Sequence, residues 1–222
     1  MSETKVNSKA IAIPVLVIFS IWFIYFIEIE FGFNFNKYGI YPKSFIGLRG
    51  ILFSPFIHGS TSHLLNNSVP LGVMLWCLYY FYHKIANKVL FLGLLLTGFL
   101  TWILGRPSYH IGASGIVYLL VSFIFFSGMF RKHYRLIALS LAVVFLYGSM
   151  IWYIFPVQES ISWEGHLSGF LVGFIFAFIF RKKGPQPENF IFTKNEEFEK
   201  LFDEKGNFNP PIEEVIEDVN EA

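Results

Sequence analysis

The chain has 222 residues, of which 54% are hydrophobic and 20% aromatic but only 15% charged. Soluble domains run at about 25% charged, so this composition excludes an ordinary water-soluble globule and indicates a polytopic membrane protein. The net charge of +1 conceals an asymmetry, because residues 1–183 carry 14 Lys/Arg against 5 Asp/Glu whereas residues 184–222 carry 3 against 11.

Six stretches are predicted to be of near-spanning length, roughly 17–25 residues being needed. They run over Ile11–Ile27, His63–Tyr82, Val89–Leu104, Ser114–Phe130, Leu136–Phe155 and Trp163–Phe180. The first lacks a small-residue cleavage site and ends in Glu28 and Glu30, so it reads as a retained helix rather than a signal peptide. The loop over residues 32–62 is rich in Phe, Gly, Ile and Pro with few charges, which suits a segment lying in or on the membrane interface. Residues 1–10 then form an N-terminal segment, residues 11–183 the membrane domain and residues 184–222 an acidic tail. The tail patches Glu196–Glu204 and Ile212–Val219 each suit a short amphipathic helix or a solvated, disordered stretch, and their composition favours disorder. No basic aromatic patch stands apart from the loops, so nucleic acid is not an expected partner. The single cysteine, Cys77, permits no internal disulfide.

Basic residues set the expected orientation. With the N-terminus inside, the cytoplasmic segments hold Lys5, Lys9, Lys84, Lys88, Arg131, Lys132, Arg135, Arg181, Lys182 and Lys183. The outer loops hold only Lys37, Lys43, Arg49 and Arg106, which favours both termini in the cytoplasm. Spans two, four and six then all enter from the outer face. Their first turns carry His63 and Asn67, then Ser114, then His166. Polar groups are costly at membrane depth, so this convergence points to a site.

Ser114 lies in a Gly112-Ala113-Ser114-Gly115 tetrad that opens the fourth span. Glycines there admit a close backbone approach, and the free N–H groups of a helix start suit an oxyanion. Small residues at that place also serve plain helix packing. His166 supplies what a serine nucleophile lacks, a base at matched depth. It is followed by Gly169 and Gly173, a small-xxx-small face that lets span six approach a neighbour closely. Taken by itself His166 suits a helix-end residue bonded to a loop carbonyl; with Ser114 at the same depth, catalysis is the better account. His63 and Asn67 share one face of span two, and both can donate hydrogen bonds to a developing oxyanion. Interhelical hydrogen bonding is their alternative role, and Asn66 competes with Asn67 on another face. A metal site among His58, His63, His110 and His166 is the rival chemistry. No HExxH motif or zinc-like carboxylate spacing accompanies those histidines, so no metal is expected. Glu164 is expected to be a solvated interface charge.

These three elements, His58-x4-His63-x3-Asn67, Gly112-Ala113-Ser114-Gly115 and His166-x2-Gly169-x3-Gly173, resemble those of the rhomboid family of intramembrane serine proteases. The resemblance covers about residues 11–180, and order, spacing and placement on spans two, four and six all agree. It implies an all-α six-helix membrane bundle with a Ser114–His166 dyad lacking an acidic third member. It implies an oxyanion site from the Ser114 N–H, the His63 ring and the Asn67 amide, with Tyr118 packed on the histidine. His58, Gly112, Gly115, Gly169 and Gly173 are the expected supports. The fifth span and the loop before the sixth, around residues 136–162, correspond to the family's substrate gate and cap. Two departures concern the first loop: Leu48-Arg49 stands where the family often has Trp-Arg, and Arg49 is one residue farther from His58 than usual. Gly165 stands where Ala commonly precedes the histidine.

The expected activity is cleavage of other membrane proteins in or near a transmembrane helix, without a cofactor, in the lipid bilayer of a bacterial cell membrane, from a site open to the extracytoplasmic side. The alternatives are a non-catalytic relative that binds transmembrane helices for quality control or trafficking, marked by loss of the serine or histidine, and a small transporter. A transporter would show paired inverted repeats or broken helices with charges at mid-membrane, and neither is present.

Overall fold

A computed structural model describes residues 8–158, 161–187 and 195–210. Lys5, Glu159 and the Ile212–Val219 patch lie outside the described residues. The chain divides into two compact units, Met1–Pro187 and Glu188–Ala222.

The first unit is helical. Its principal helices are α1 (Lys9–Glu30), α2 (Thr61–Phe81), α3 (Ala86–Leu104), α4 (Ser114–Arg131), α5 (Tyr134–Tyr147) and α6 (Trp163–Ile179). Among the described residues, four segments are long and apolar enough to cross a membrane: α1, α3, α4, and α5 together with its extension to Ile154. Along α1, Val15, Leu16, Phe19 and Phe23 are exposed. On α5, Leu141 and Phe145 are exposed in the same way, as befits helices that meet lipid rather than water. The 21-residue α2 has the length, but its first turns carry His63, Asn66, Asn67 and Ser68; α6 is apolar and shorter, at 17 residues.

Between α1 and α2 the loop folds into short pieces: 3-10 turns at Asn36–Tyr38, Ile46–Arg49 and Ser54–Phe56, and one α-turn at Gly50–Phe53. Glu28 anchors its start, its carboxylate accepting from the Phe35 N–H at 2.8 Å. Arg49 stacks its guanidinium 4.6 Å from the Tyr38 ring and donates to the Lys37 carbonyl. The loop thus closes on itself through Arg49 although Leu48 replaces the bulkier aromatic.

At the centre stands α4, touching α2, α3, α5 and α6. It supplies Leu119, Leu120, Phe123 and Ile124 to a core that Leu71, Leu75 and Leu78 of α2 and Val172 and Phe176 of α6 complete. Polar ties lock its neighbours. The Ser122 hydroxyl donates to the Phe170 carbonyl at 2.8 Å, and the Ser140 hydroxyl of α5 donates to the Phe125 carbonyl at 2.9 Å. The buried Arg131 guanidinium donates to the Phe180 and Lys183 carbonyls, fastening the far end of α4 to that of α6.

The predicted fifth span, Leu136–Phe155, is not one continuous α-helix. It turns into a 3-10 helix over Gly148–Ile154. Carbonyls of that extension are taken up by side chains of α4 and α6, which gives the altered winding a structural reason.

In the second unit, Asn195 caps a single helical turn, Glu196–Glu199, its side-chain oxygen accepting from the Glu197 and Phe198 N–H groups. Part of the Glu196–Glu204 patch is therefore helical, for one turn.

Candidate active site

Three helix starts meet at one end of the first unit. The α2 start is set by Ser60, extended and with its hydroxyl accepting from the His63 N–H at 3.1 Å, an N-cap that fixes the phase of His63 and Asn67. The α4 start is set by the glycine tetrad. Gly112 has φ +102°, a conformation open to glycine at little cost, and its N–H donates to the Ser54 carbonyl of the first loop. A β-carbon at Gly112 would also strike the His63 ring. The tetrad thus turns tightly beneath His63 and presents Ser114 as the first residue of α4.

The α6 start brings His166 to Ser114. His166 Nε2 lies 2.9 Å from Ser114 Oγ, and His166 Nδ1 lies 2.9 Å from the Tyr153 carbonyl oxygen. A carbonyl only accepts, so in the neutral ring the proton sits on Nδ1 and the Nε2 lone pair faces the serine hydroxyl. That is the tautomer a general base needs, fixed here by main chain instead of a carboxylate. The Tyr118 ring stacks on the imidazole at 4.2 Å between centroids and 13° between planes. Its hydroxyl donates to the Met150 carbonyl at 2.7 Å, so the 3-10 extension of α5 holds both the histidine and the ring beneath it.

Closeness of the two helices comes from glycine. Gly169 and Gly173 face the carbonyls of Gly115 and Leu119, with no room for a β-carbon. His63 is half-buried and Asn67 is buried. The Asn67 amide donates to the His63 carbonyl at 2.9 Å with one proton and has a second to give. Both residues, with Asn66, line a cavity of about 1110 Å³ that Ser114 and His166 also border. Asn66 is exposed where Asn67 is buried near Gly112.

His58 precedes α2 and lies edge-on to His63, ring centroids 5.0 Å apart. Burial, with His63 adding to it, pulls its pKa down to about 4. His110, in the loop before the tetrad, is likewise held below the ordinary histidine range by burial. Among the described residues no three His, Cys, Asp or Glu side chains converge as a metal site would require.

One sequence expectation fails. Glu164 is not a solvated interface charge; it is 1% exposed and pairs with Arg106 at 3.5 Å. The partner comes from a loop 58 residues earlier, and nothing near Glu164 in the chain announces it. The Tyr153 and Met150 carbonyls were equally invisible, since every residue carries one.

The chemistry this geometry can perform is nucleophilic: a serine hydroxyl beside a correctly protonated imidazole, with free N–H groups at a helix start and two side-chain donors across a cavity. Comparison with known proteins agrees with the fold. Uncharacterized proteins of Mycobacterium tuberculosis and Mycobacterium bovis are each 32% identical over 152 residues, covering 62% of this chain and 61% of their own length. One from Mycobacterium leprae is 30% identical over 137 residues, 55% of this chain and 52% of its own. The chain thus spans about three-fifths of the length of these curated relatives. A Rhomboid domain matches residues 47–183, a stretch that holds Ser114, His166 and each of the supporting residues above. The chain belongs to the rhomboid family and is an integral membrane protein.

Proposed function

We propose that this chain is an intramembrane serine endopeptidase. The observation that carries the reading is the paired engagement of His166, Nε2 toward Ser114 Oγ and Nδ1 toward the Tyr153 carbonyl. In this reading Ser114 Oγ attacks a peptide carbonyl while His166 Nε2 takes its proton. The oxyanion is met by the Ser114 N–H, the His63 ring and the Asn67 amide. The imidazolium then protonates the leaving amine, and water, activated by the same histidine, hydrolyses the acyl-enzyme.

Substrates are membrane proteins with a transmembrane helix. A helical peptide bond is closed to attack, so a target must unwind locally, and small or helix-breaking residues near the cut favour this. In this reading the six-span bundle keeps both termini in the cytoplasm and opens its cavity to the outer side of a bacterial cell membrane, which the excess of Lys and Arg in the segments on the opposite side supports. Side chains, main-chain groups and water supply the whole reaction in this reading, with no cofactor.

The test is cleavage of a single-span reporter substrate by purified protein in detergent, beside Ser114→Ala and His166→Ala. Wild type is expected to release product and both variants to fall to background. Equal product from wild type and Ser114→Ala would overturn the reading. A wild type that binds the reporter helix without cutting it would support the non-catalytic alternative.

A further inference from the structure

The carboxylate of Glu164 lies two residues before His166 and is almost wholly buried. A buried charge survives only with close partners. Glu164 Oε1 has Arg106 Nε at 3.5 Å and accepts from the Arg106 backbone N–H at 3.2 Å, while Oε2 is buried without a hydrogen-bond partner. The same guanidinium donates through Nη2 to the Ile161 carbonyl at 2.6 Å. Four residues on, His110 Nε2 donates to the Arg106 carbonyl at 3.2 Å. Its Nδ1 is then an acceptor, and the Ser162 hydroxyl donates to it at 2.6 Å.

These bonds join two short segments. Arg106 and His110 belong to the loop that ends in the Gly112–Ser114 turn. Ile161, Ser162 and Glu164 lead into and open α6, and the His166 N–H itself bonds to the Ser162 carbonyl at 3.2 Å. The loop is anchored on its far side too, His110 and Ile40 exchanging both backbone bonds. Nucleophile and base are therefore mounted on one bonded strap, separate from the helix-on-helix packing of Gly169 and Gly173 deeper down.

We propose that Arg106 and Glu164 form a positioning pair, which holds the first turn of α6 in register with the Ser114 turn so that Ser114 Oγ and His166 Nε2 stay within reach while the cavity takes in a substrate. The proposal rests on the serine-protease reading. Neither residue touches the reacting atoms. Displacements of about 1 Å at such a pair are worth up to 100-fold in rate, so the effect falls on turnover.

The experiment compares wild type with Arg106→Met, Arg106→Lys, Glu164→Gln and the Arg106→Met/Glu164→Gln double variant, in detergent. Three quantities are measured: the rate of Ser114 labelling by a fluorophosphonate, kcat and KM on a single-span reporter, and the melting temperature. Arg106→Met is expected to lower labelling rate and kcat about tenfold, with KM within about twofold. Arg106→Lys, which keeps the cation, recovers part of the loss. The double variant is no slower than the slower single one, because one tie is broken either way. Lowered melting temperatures with wild-type labelling and kcat would overturn the proposal, as would additive losses. Wild-type protein that neither labels nor cleaves removes the protease reading; wild-type protein that does both, beside variants that match it, removes the positioning pair alone.

Discussion

Gly169 of α6 lies against the carbonyl oxygen of Gly115 of α4, and a methyl group added at Gly169 would collide with that oxygen. A turn later Gly173 meets the Leu119 carbonyl in the same way. Without a hydrophobic drive between helices in lipid, such backbone contact is what holds two spans together. At Gly115 the situation is gentler, since an added β-carbon would find the Thr97 methyl at 3.2 Å and the Gly165 carbonyl at 3.4 Å. Gly169→Ala is therefore expected to cost about 1–3 kcal/mol by overpacking, and Gly115→Ala clearly less. Thermal unfolding of the two purified variants in detergent decides this; equal destabilisation would refute the packing account.

The Asn67 amide and the His63 ring face the turn that presents Ser114. If both donate to an oxyanion, Asn67→Ala is expected to lower kcat by about 10²-fold or more and to change KM little. His63→Ala should act in the same sense. Neither change touches the Ser114–His166 hydrogen bond, so steady-state kinetics that showed KM rising with kcat intact would reassign both residues to substrate binding. Asn66→Ala, an exposed position on the same cavity, serves as the comparison and is expected to stay within a few-fold of wild type.

His58 gives the fold a pH dependence of known sign. Its pKa is near 4 when folded, chiefly through burial, against 6.5 ordinarily. Between those values the unfolded chain binds the proton that the folded chain refuses, so stability is full above about pH 6.5 and falls as pH drops toward 4. The amount lost is on the order of 3 kcal/mol at most. His58→Gln removes the titration, so the fall in melting temperature from pH 7 to pH 5 should be smaller in the variant than in wild type. An unchanged fall would assign the acid sensitivity to other groups.

Much of this arrangement was legible in the sequence because it is written in side chains at local spacings. His63 and Asn67 are four apart on a helix with a serine cap. Ser114 and His166 each open an apolar run, and the glycines after His166 mark the face that packs. What stayed hidden depends on distant partners or on main chain. Glu164 reads as an exposed acid at a helix start until Arg106 is brought to it across 58 residues. The change of winding begins at Gly148-Ser149, a break too slight within a long apolar run to mark the end of a helix by itself. The first loop gives few clues to its helical turns, because its short pieces are fixed by contacts such as Arg49 on Tyr38 rather than by periodicity.

The Tyr153 carbonyl has an experimental corollary. A Tyr153→Ala substitution leaves that oxygen in the chain, so a residue-by-residue alanine scan would pass over the group that sets the histidine's tautomer. Only changes to the course of the backbone over Gly148–Ile154, by insertion, deletion or proline, would register it. In the proposed mechanism the counterpart of an acidic third residue is thus out of reach of side-chain mutation and is altered only by rewinding a helix end.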